Sequence, residues 1–360
     1  MTNSVPAYGS TLQRVRPQAD FLKLLMYTYR NVLFASFIAI ATFQVVAQDA
    51  QFTQFYASPT YMGPGFAGTG LQTRFGLAVR DQWPAIPGAF VTANFAMDHY
   101  LKEIHSGVGL LVTHDKAGSG GLRYSCVAGQ FAYEIELKRK VFIRPALQLG
   151  WVNHSVDYSD LVFGDQLARG GETGINTERP RTSIGYMDAG AGALFFTPKL
   201  WLGFSIHHLN KPNQSLLENT SIVPRKFSLH GGYRMTMRTP VIMEHPQSVV
   251  FAFNFKSQGK YDQLDIGAYF ERNPFYVGLW YRGIPVFKSY APGYGNNDAV
   301  AVLVGFIVND LRIGYSYDLT ISKLGGGSGG AHELTLGYEV ASRYKRRSAS
   351  KRRIVPCAKF

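Results

Sequence analysis

Runs in which every second residue is apolar recur along most of the chain. Leu311, Ile313, Tyr315, Tyr317 and Leu319 alternate with Arg312, Gly314, Ser316, Asp318 and Thr320, and Phe227, Leu229, Gly231, Tyr233 and Met235 alternate with Lys226, Ser228, His230, Gly232 and Arg234. A strand sends successive side chains to opposite faces, so each run builds one apolar face and one polar or glycine face. About fourteen strands can be laid on the sequence in this way. They fall near 71–80, 90–100, 106–113, 121–135, 141–156, 184–196, 200–210, 225–236, 248–257, 261–272, 274–282, 299–309, 311–321 and 331–340. The runs 184–196 and 299–309 alternate poorly, which leaves counts of roughly twelve or sixteen open. The most apolar of them, Ala299 to Val308, stops at Asn309-Asp310. Its length suits a strand and is far short of the roughly 20 residues of a spanning helix.

The connections sort into two classes. Those after even-numbered strands are mostly short, such as Leu101 to His105, Glu136 to Lys140 and Thr197-Pro198-Lys199, while Asp81 to Ala89, Asp157 to Ser183, Lys211 to Pro224 and Gly283 to Asp298 are long. The exceptions are a tight Gln258-Gly259-Lys260 turn on the long side and the Arg238 to Gln247 connection on the short side. This asymmetry, with an even strand count, predicts an all-β fold: a transmembrane antiparallel β-barrel over 71–341 with both termini periplasmic. Closure is required physically, because strands in hydrocarbon cannot leave edge N–H and C=O groups unpaired. A secreted soluble β-sandwich is the competing reading.

The amino end reads as an export signal. Arg30 precedes an apolar stretch, Val32 to Val46, that closes on the small residue Ala47, so residues 1–47 are expected to be a signal peptide cleaved before Gln48. Met26 is a possible alternative start. Export leads to an oxidising compartment, yet Cys126 and Cys357 are the only two cysteines, so disulfides do not define the fold.

Composition changes the picture only through where the charge sits. The chain carries 37 Lys and Arg against 24 Asp and Glu, a formal charge of +13. Four of the basic residues and one acid lie in 1–47, and eight basic residues and no acid lie in 342–360, which leaves 25 basic against 23 acidic in between. The basicity therefore belongs to the ends, and a nucleic-acid partner is not expected. Residues 342–360 read as a basic periplasmic tail, either solvated or in contact with an acidic protein.

Residues 48–70 hold Phe52, Phe55, Tyr56, Tyr61 and Phe66 among Pro59 and Pro64. They are too apolar for a free arm and too interrupted for a strand. The segment is expected to pack into the periplasmic mouth or lumen as a partial plug, a flexible leader held by a partner being the alternative. Charges on the polar faces should also turn inward, because facing lipid would cost a few kcal/mol each. Arg74, Arg80, Arg234, Asp265, Arg312, Asp318 and Glu333 form this expected lumen set, with Lys226 and Glu339 beside them. Charge balance favours a structural ion-pair network over an ion-selective pore.

The leading residues Gln48-Asp49-Ala50-Gln51-Phe52-Thr53-Gln54-Phe55-Tyr56-Ala57-Ser58-Pro59 resemble the opening of the PorP/SprF family of Bacteroidetes outer-membrane proteins. Arg80-Asp81-Gln82-Trp83-Pro84, Asp160 to Gln166, His208 to Asn213, Tyr315-Ser316-Tyr317-Asp318 and Gly329 to Glu333 are similar to later motifs of that family, in the same order, so the resemblance spans about 48–340. Gly63 and Gly65 stand where the family often has Asn and Ala. The resemblance implies a component of type IX secretion and, in gliding relatives, of gliding motility. It implies partners too: outer-membrane lipid, other type IX components and a secreted client, often adhesin-like, with a C-terminal sorting domain. The alternative function is a FadL-like hydrophobic-solute transporter.

Enzyme chemistry is not expected, and neither is a cofactor or metal. The sequence has no His-Glu-x-x-His, no phosphate loop ending in Lys and no Gly-x-Ser-x-Gly. His207 and His208 are adjacent and on a regular strand would point to opposite faces. The candidate partner-binding residues are instead in the long loops: Trp83, Pro84, Phe163, Asp165, Tyr290 and Tyr294, with Leu216-Leu217 nearby in kind. Packing at the barrel rim is the alternative explanation of these aromatic groups.

Overall fold

Period-two patterning builds the wall. In the computed structural model, which describes residues 49–340 apart from 71, 119–120, 158–180, 218, 238–246, 285–288, 292–293 and 323–324, the strands are β1 (Arg74–Gln82), β2 (Phe90–Leu101), β3 (Ser106–Ala117), β4 (Leu122–Tyr133), β5 (Ile135–Lys138), β6 (Val141–Ser155), β7 (Ser183–Phe196), β8 (Leu200–His207), β9 (Lys226–Thr236), β10 (Ser248–Gln258), β11 (Tyr261–Arg272), β12 (Phe275–Gly283), β13 (Ser289–Ala291), β14 (Tyr294–Gly295), β15 (Asn297–Val308), β16 (Leu311–Thr320) and β17 (Ala331–Glu339). β13 and β14 form a separate hairpin inside the connection from β12 to β15. The short β5 continues β4, both pairing with β6, so the closed antiparallel barrel has fourteen strands. The expected count and strand positions hold.

The barrel closes between its first and last strands. Arg74 at the start of β1 lies opposite Glu339 near the end of β17, and Gln82 opposite Ala331. No edge is left to expose unpaired backbone groups in lipid. Along β6, Leu147, Leu149 and Trp151 point out and are more than half exposed, while Arg144, Ala146, Gln148 and Val152 between them are buried. The same alternation puts Val302, Val304 and Phe306 of β15 outside. These outward residues supply the apolar band that a hydrocarbon layer solvates, and the polar halves of the strands fill the lumen.

The two poorly alternating segments have a physical reason. In β15 the inward residues Ala301 and Leu303 are as apolar as the outward ones, because they pack in one buried cluster with Phe55, Tyr56, Trp280 and Tyr269. In β7 the inward positions include Gly190 and Gly192, where the chain that precedes β1 comes close: a Cβ on Gly192 would stand 3.3 Å from Pro64 Cδ. Both runs lose contrast because their inner faces meet a second layer of protein.

Short turns at 102–105, 139–140, 197–199 and 309–310 share one mouth of the barrel with the start of β1 and the end of β17. The longer connections, 83–89, 156–182, 208–225, 284–296 and 321–330, share the other. Among the described residues no helix is long and apolar enough to cross a membrane.

Candidate functional site

Residues 49–70 run through the lumen from the mouth of the long connections to the mouth of the short turns. Two prolines set their local shape. Pro59 opens the four-residue helix Pro59–Met62, and Pro64 opens the 3-10 turn Pro64–Phe66, each at a first-turn position where a missing N–H costs nothing. Phe52, Phe55, Tyr56 and Phe66 are buried and Tyr61 is half-buried. Phe55 meets Trp280 edge-on at 4.8 Å between ring centres, Phe52 meets Tyr61 at 5.0 Å, and Phe66 lies 5.2 Å from the His230 ring. The five aromatic residues singled out in the sequence thus share the lumen.

At the long-connection mouth, Asp49 is the focus of β9, β10 and the start of the connection that follows β8. Its carboxylate accepts from Lys226 Nζ at 2.5 Å, from His208 Nε2 at 3.1 Å and from Gln258 Nε2 at 2.9 Å, while its own N–H donates to Gln258 Oε1. His208 donates through Nδ1 to Asp188 at 2.9 Å. With a carboxylate at each ring nitrogen, His208 is an imidazolium. Burial opposes that charge, but Asp49 and Asp188 outweigh it and lift the pKa to about 9. Burial likewise opposes the charge on Asp49, and Lys226 and His208 overcome it to hold the carboxyl well below its usual range. His208 reaches this position because it follows β8 in a left-handed conformation, φ +57°, which turns it inward beside His207. The two rings do not point to opposite faces as a regular strand would require. Among the described residues no group of His, Cys, Asp and Glu is arranged to hold a metal.

One turn further in, the lumen charges converge on Thr53. Its hydroxyl donates to Asp318 Oδ2 at 2.7 Å and accepts from Arg80 Nη1 and Arg282 Nη2, each at 2.9 Å. Arg80 bridges Asp318 at 2.8 Å and Glu333 at 3.2 Å, and Arg282 bridges Asp318 at 2.9 Å and Asp265 at 2.7 Å. The two oxygens of Glu333 accept the backbone N–H groups of Thr53 and Gln54 at 2.7 and 2.8 Å. Every charge here has an opposite charge and hydrogen bonds, the condition for burying ions at all. Of the seven expected lumen residues, this network unites Arg80, Asp265, Asp318 and Glu333. Arg74 pairs with Asp98, Arg234 with Glu271 and Arg312 with Glu339 at separate places. Arg282, which joins the two halves of the network, had no sequence signal beyond its place at the end of a strand.

The segment leaves by the short-turn mouth. Gln130 Nε2 donates to the Thr60 carbonyl, Ser205 to the Met62 carbonyl and Arg144 to the Ala67 carbonyl. Arg144 is held in turn by Glu134 at 2.9 Å. Gly107 lets the chain pass, since a Cβ there would stand 1.9 Å from the Ala67 oxygen. Asp49 therefore lies at the long-connection mouth, whereas Val340, which donates to Thr73 O, lies at the short-turn mouth.

The loop candidates separate. Trp83 has φ +60°, donates its N–H to Gly330 O at 2.8 Å and packs edge-on to Phe90 at 5.5 Å, while Pro84 is exposed. The first long connection therefore rests on the one between β16 and β17. Tyr290 and Tyr294 sit on the two strands of the β13–β14 hairpin, and their side chains lie outside the described part of the structure. Phe163, Asp165, residues 1–47 and the tail 342–360 also lie outside the described residues.

The pattern of the type IX secretion system membrane protein PorP/SprF matches residues 45–338. The chain belongs to the PorP/SprF family. As a PorP/SprF protein with a closed barrel it is an outer-membrane component of type IX secretion. No curated protein matches it. Solved barrels resemble it distantly. The toluene transporter TodX of Pseudomonas putida has 9% identity and a TM-score of 0.42 over 78% of this chain and 92% of that one. The outer membrane protein Omp33 of Acinetobacter baumannii has 8% identity and a TM-score of 0.40 over 75% and 100%. A mutant of the Rh. blastica porin has 6% identity and a TM-score of 0.31 over 74% and 99%.

Proposed function

We propose that this PorP/SprF protein supports the export or surface attachment of one secreted client, an adhesin-like protein with a C-terminal sorting domain, and that it does so as a docking platform with a closed lumen. The observation that carries this reading is the plug: Asp49, Thr53 and Gln54 are bonded to strands on several sides of the barrel, so the lumen is occupied along its length by the protein's own chain. A client then binds at a mouth. The connections 83–89 and 156–182 are the proposed docking loops, with Trp83, Pro84, Phe163 and Asp165 as contact residues. The short turns and the basic tail are proposed to face the periplasm and the other type IX components there, in gliding relatives those of the motility machinery. A FadL-like transporter would instead need a continuous apolar path, and the ion network around Thr53 stands across it.

Purification from native outer membrane in mild detergent, followed by mass spectrometry of what comes with the barrel, tests the reading. Recovery of one secreted protein with a sorting domain, or of type IX components, supports it. Recovery of the barrel alone with bound fatty acid or lipid would replace it with the transporter.

A further inference from the structure

Beside Asp49 lies a cavity of about 60 Å³ between the plug and the inner faces of β9, β10 and β11. Three polar side chains line its wall from adjacent strands. Lys256 and Ser228 are direct cross-strand partners in the β9–β10 ladder, and Asn254 stands two residues from Lys256 on the same inward face. Asn254 and Ser228 are buried. Among the described residues, none of the three side chains makes a hydrogen bond. Lys256 has Asp265 at 3.7 Å, too far for one, and the Asp265 oxygens already accept from Arg282 and Gln263. The other carboxylate at the cavity, Asp49, is taken by Lys226, His208 and Gln258. Asp262, also at the cavity, lies on the outward register of β11.

An ammonium whose ion pair with Asp265 is long, an amide and a hydroxyl thus converge on one space without hydrogen bonds to described residues. A buried ammonium that lacks a hydrogen-bond acceptor is costly, and a charge-assisted acceptor is the strongest remedy. The volume is several times the 10–15 Å³ that one water needs and far below the roughly 300 Å³ of a pocket for a whole metabolite. We propose that this cavity is an oxyanion site that takes one carboxylate or phosphate group, bound by Lys256 Nζ and oriented by Asn254 and Ser228. Phe52 and Met62 close its inner side, so the plug and the barrel wall build the site together.

The test uses the full-length protein in detergent with chloride as the sole starting anion. Sodium acetate, sodium phosphate and a short peptide in free-acid and amidated forms are titrated by calorimetry. Saturable binding of acetate or phosphate is expected, weakened about tenfold or more by Lys256→Met. Asn254→Asp, nearly isosteric, should abolish it by placing a negative charge in the site, and it remains informative where Lys256→Met fails to seat the plug. Tighter binding of the free-acid peptide than of acetate assigns the site to a chain end, and equal binding assigns it to free anions. No saturable binding in the wild type, or unchanged binding in both variants with the plug still protease-resistant, overturns the proposal.

Discussion

The hydroxyl of Thr53 donates to the carboxylate of Asp318 across 2.7 Å, joining the plug to β16 over 265 residues of sequence. The same oxygen accepts from both Arg80 and Arg282. Thr53→Val keeps the shape and removes one donor and one acceptor from a buried network. A loss of about 1–3 kcal/mol is expected, read as a lower melting temperature in detergent. An unchanged melting temperature would mean that water replaces the hydroxyl without cost.

Glu333 holds two successive backbone N–H groups of the plug and one side of Arg80. Removing one partner of a buried ion pair costs about 3–5 kcal/mol because the other charge is left behind. Glu333→Ala should therefore free residues 49–57 for proteolysis while the barrel itself stays folded. Limited proteolysis with mass spectrometry of the released peptides checks this.

The Asp49–His208 pair gives the plug a pH window. Asp49 titrates below its ordinary value in the folded state, so its contribution is present above the usual carboxylate range and is lost as pH falls through the depressed pKa. His208 titrates at about 9 against an ordinary 6.5, so its contribution is full below 6.5 and is lost as pH rises through about 9. Plug protection should be greatest between the usual carboxylate range and about pH 6.5 and fall on both sides. In His208→Gln the alkaline loss should disappear and the acid loss remain, measured as protease resistance against pH.

Gly107 passes Ala67 with no room for a side chain. Gly107→Ala forces either the plug or β3 to move, at a cost of about 1–3 kcal/mol for overpacking. The heat needed to shift the protein from its compact to its unfolded gel mobility should fall, and a variant with wild-type mobility at every temperature would contradict the close approach.

Exchange of 83–89 for an unrelated loop of equal length should leave the barrel folded and abolish co-purification of the client. Normal client display by that loop variant would remove this connection from the docking surface.

Much of the wall was legible because alternation reports directly on lipid and lumen. Leu334, Leu336 and Tyr338 mark one face of β17 whatever surrounds it. Burial of the plug was legible as composition, since Phe52, Phe55 and Phe66 need cover. Its direction was not, because nothing local in Asp49 specifies Lys226 of β9, Gln258 of β10 and His208 of the connection between β8 and β9 as partners. Arg282 was overlooked for a similar reason. Its role depends on the register that places it opposite Asp265, and register is a property of strand pairs. His208 escaped through a single left-handed residue that broke the two-residue period.

A segment bonded in sequence order along a tube also has a mechanical character. Tension applied upstream of Asp49 would meet the Lys226 and His208 contacts first, then Thr53 and Gln54, then Ser58 and the helix that follows. Each step releases a few bonds before the next is loaded, so the segment would peel at low force. Tension from the short-turn side would begin at Gly68 and Ala67, reach Thr53 and its buried ion network only after Ser58, and load the Asp49 contacts last. The barrel is therefore a strong wall around a strand of chain whose resistance depends on the side from which it is drawn.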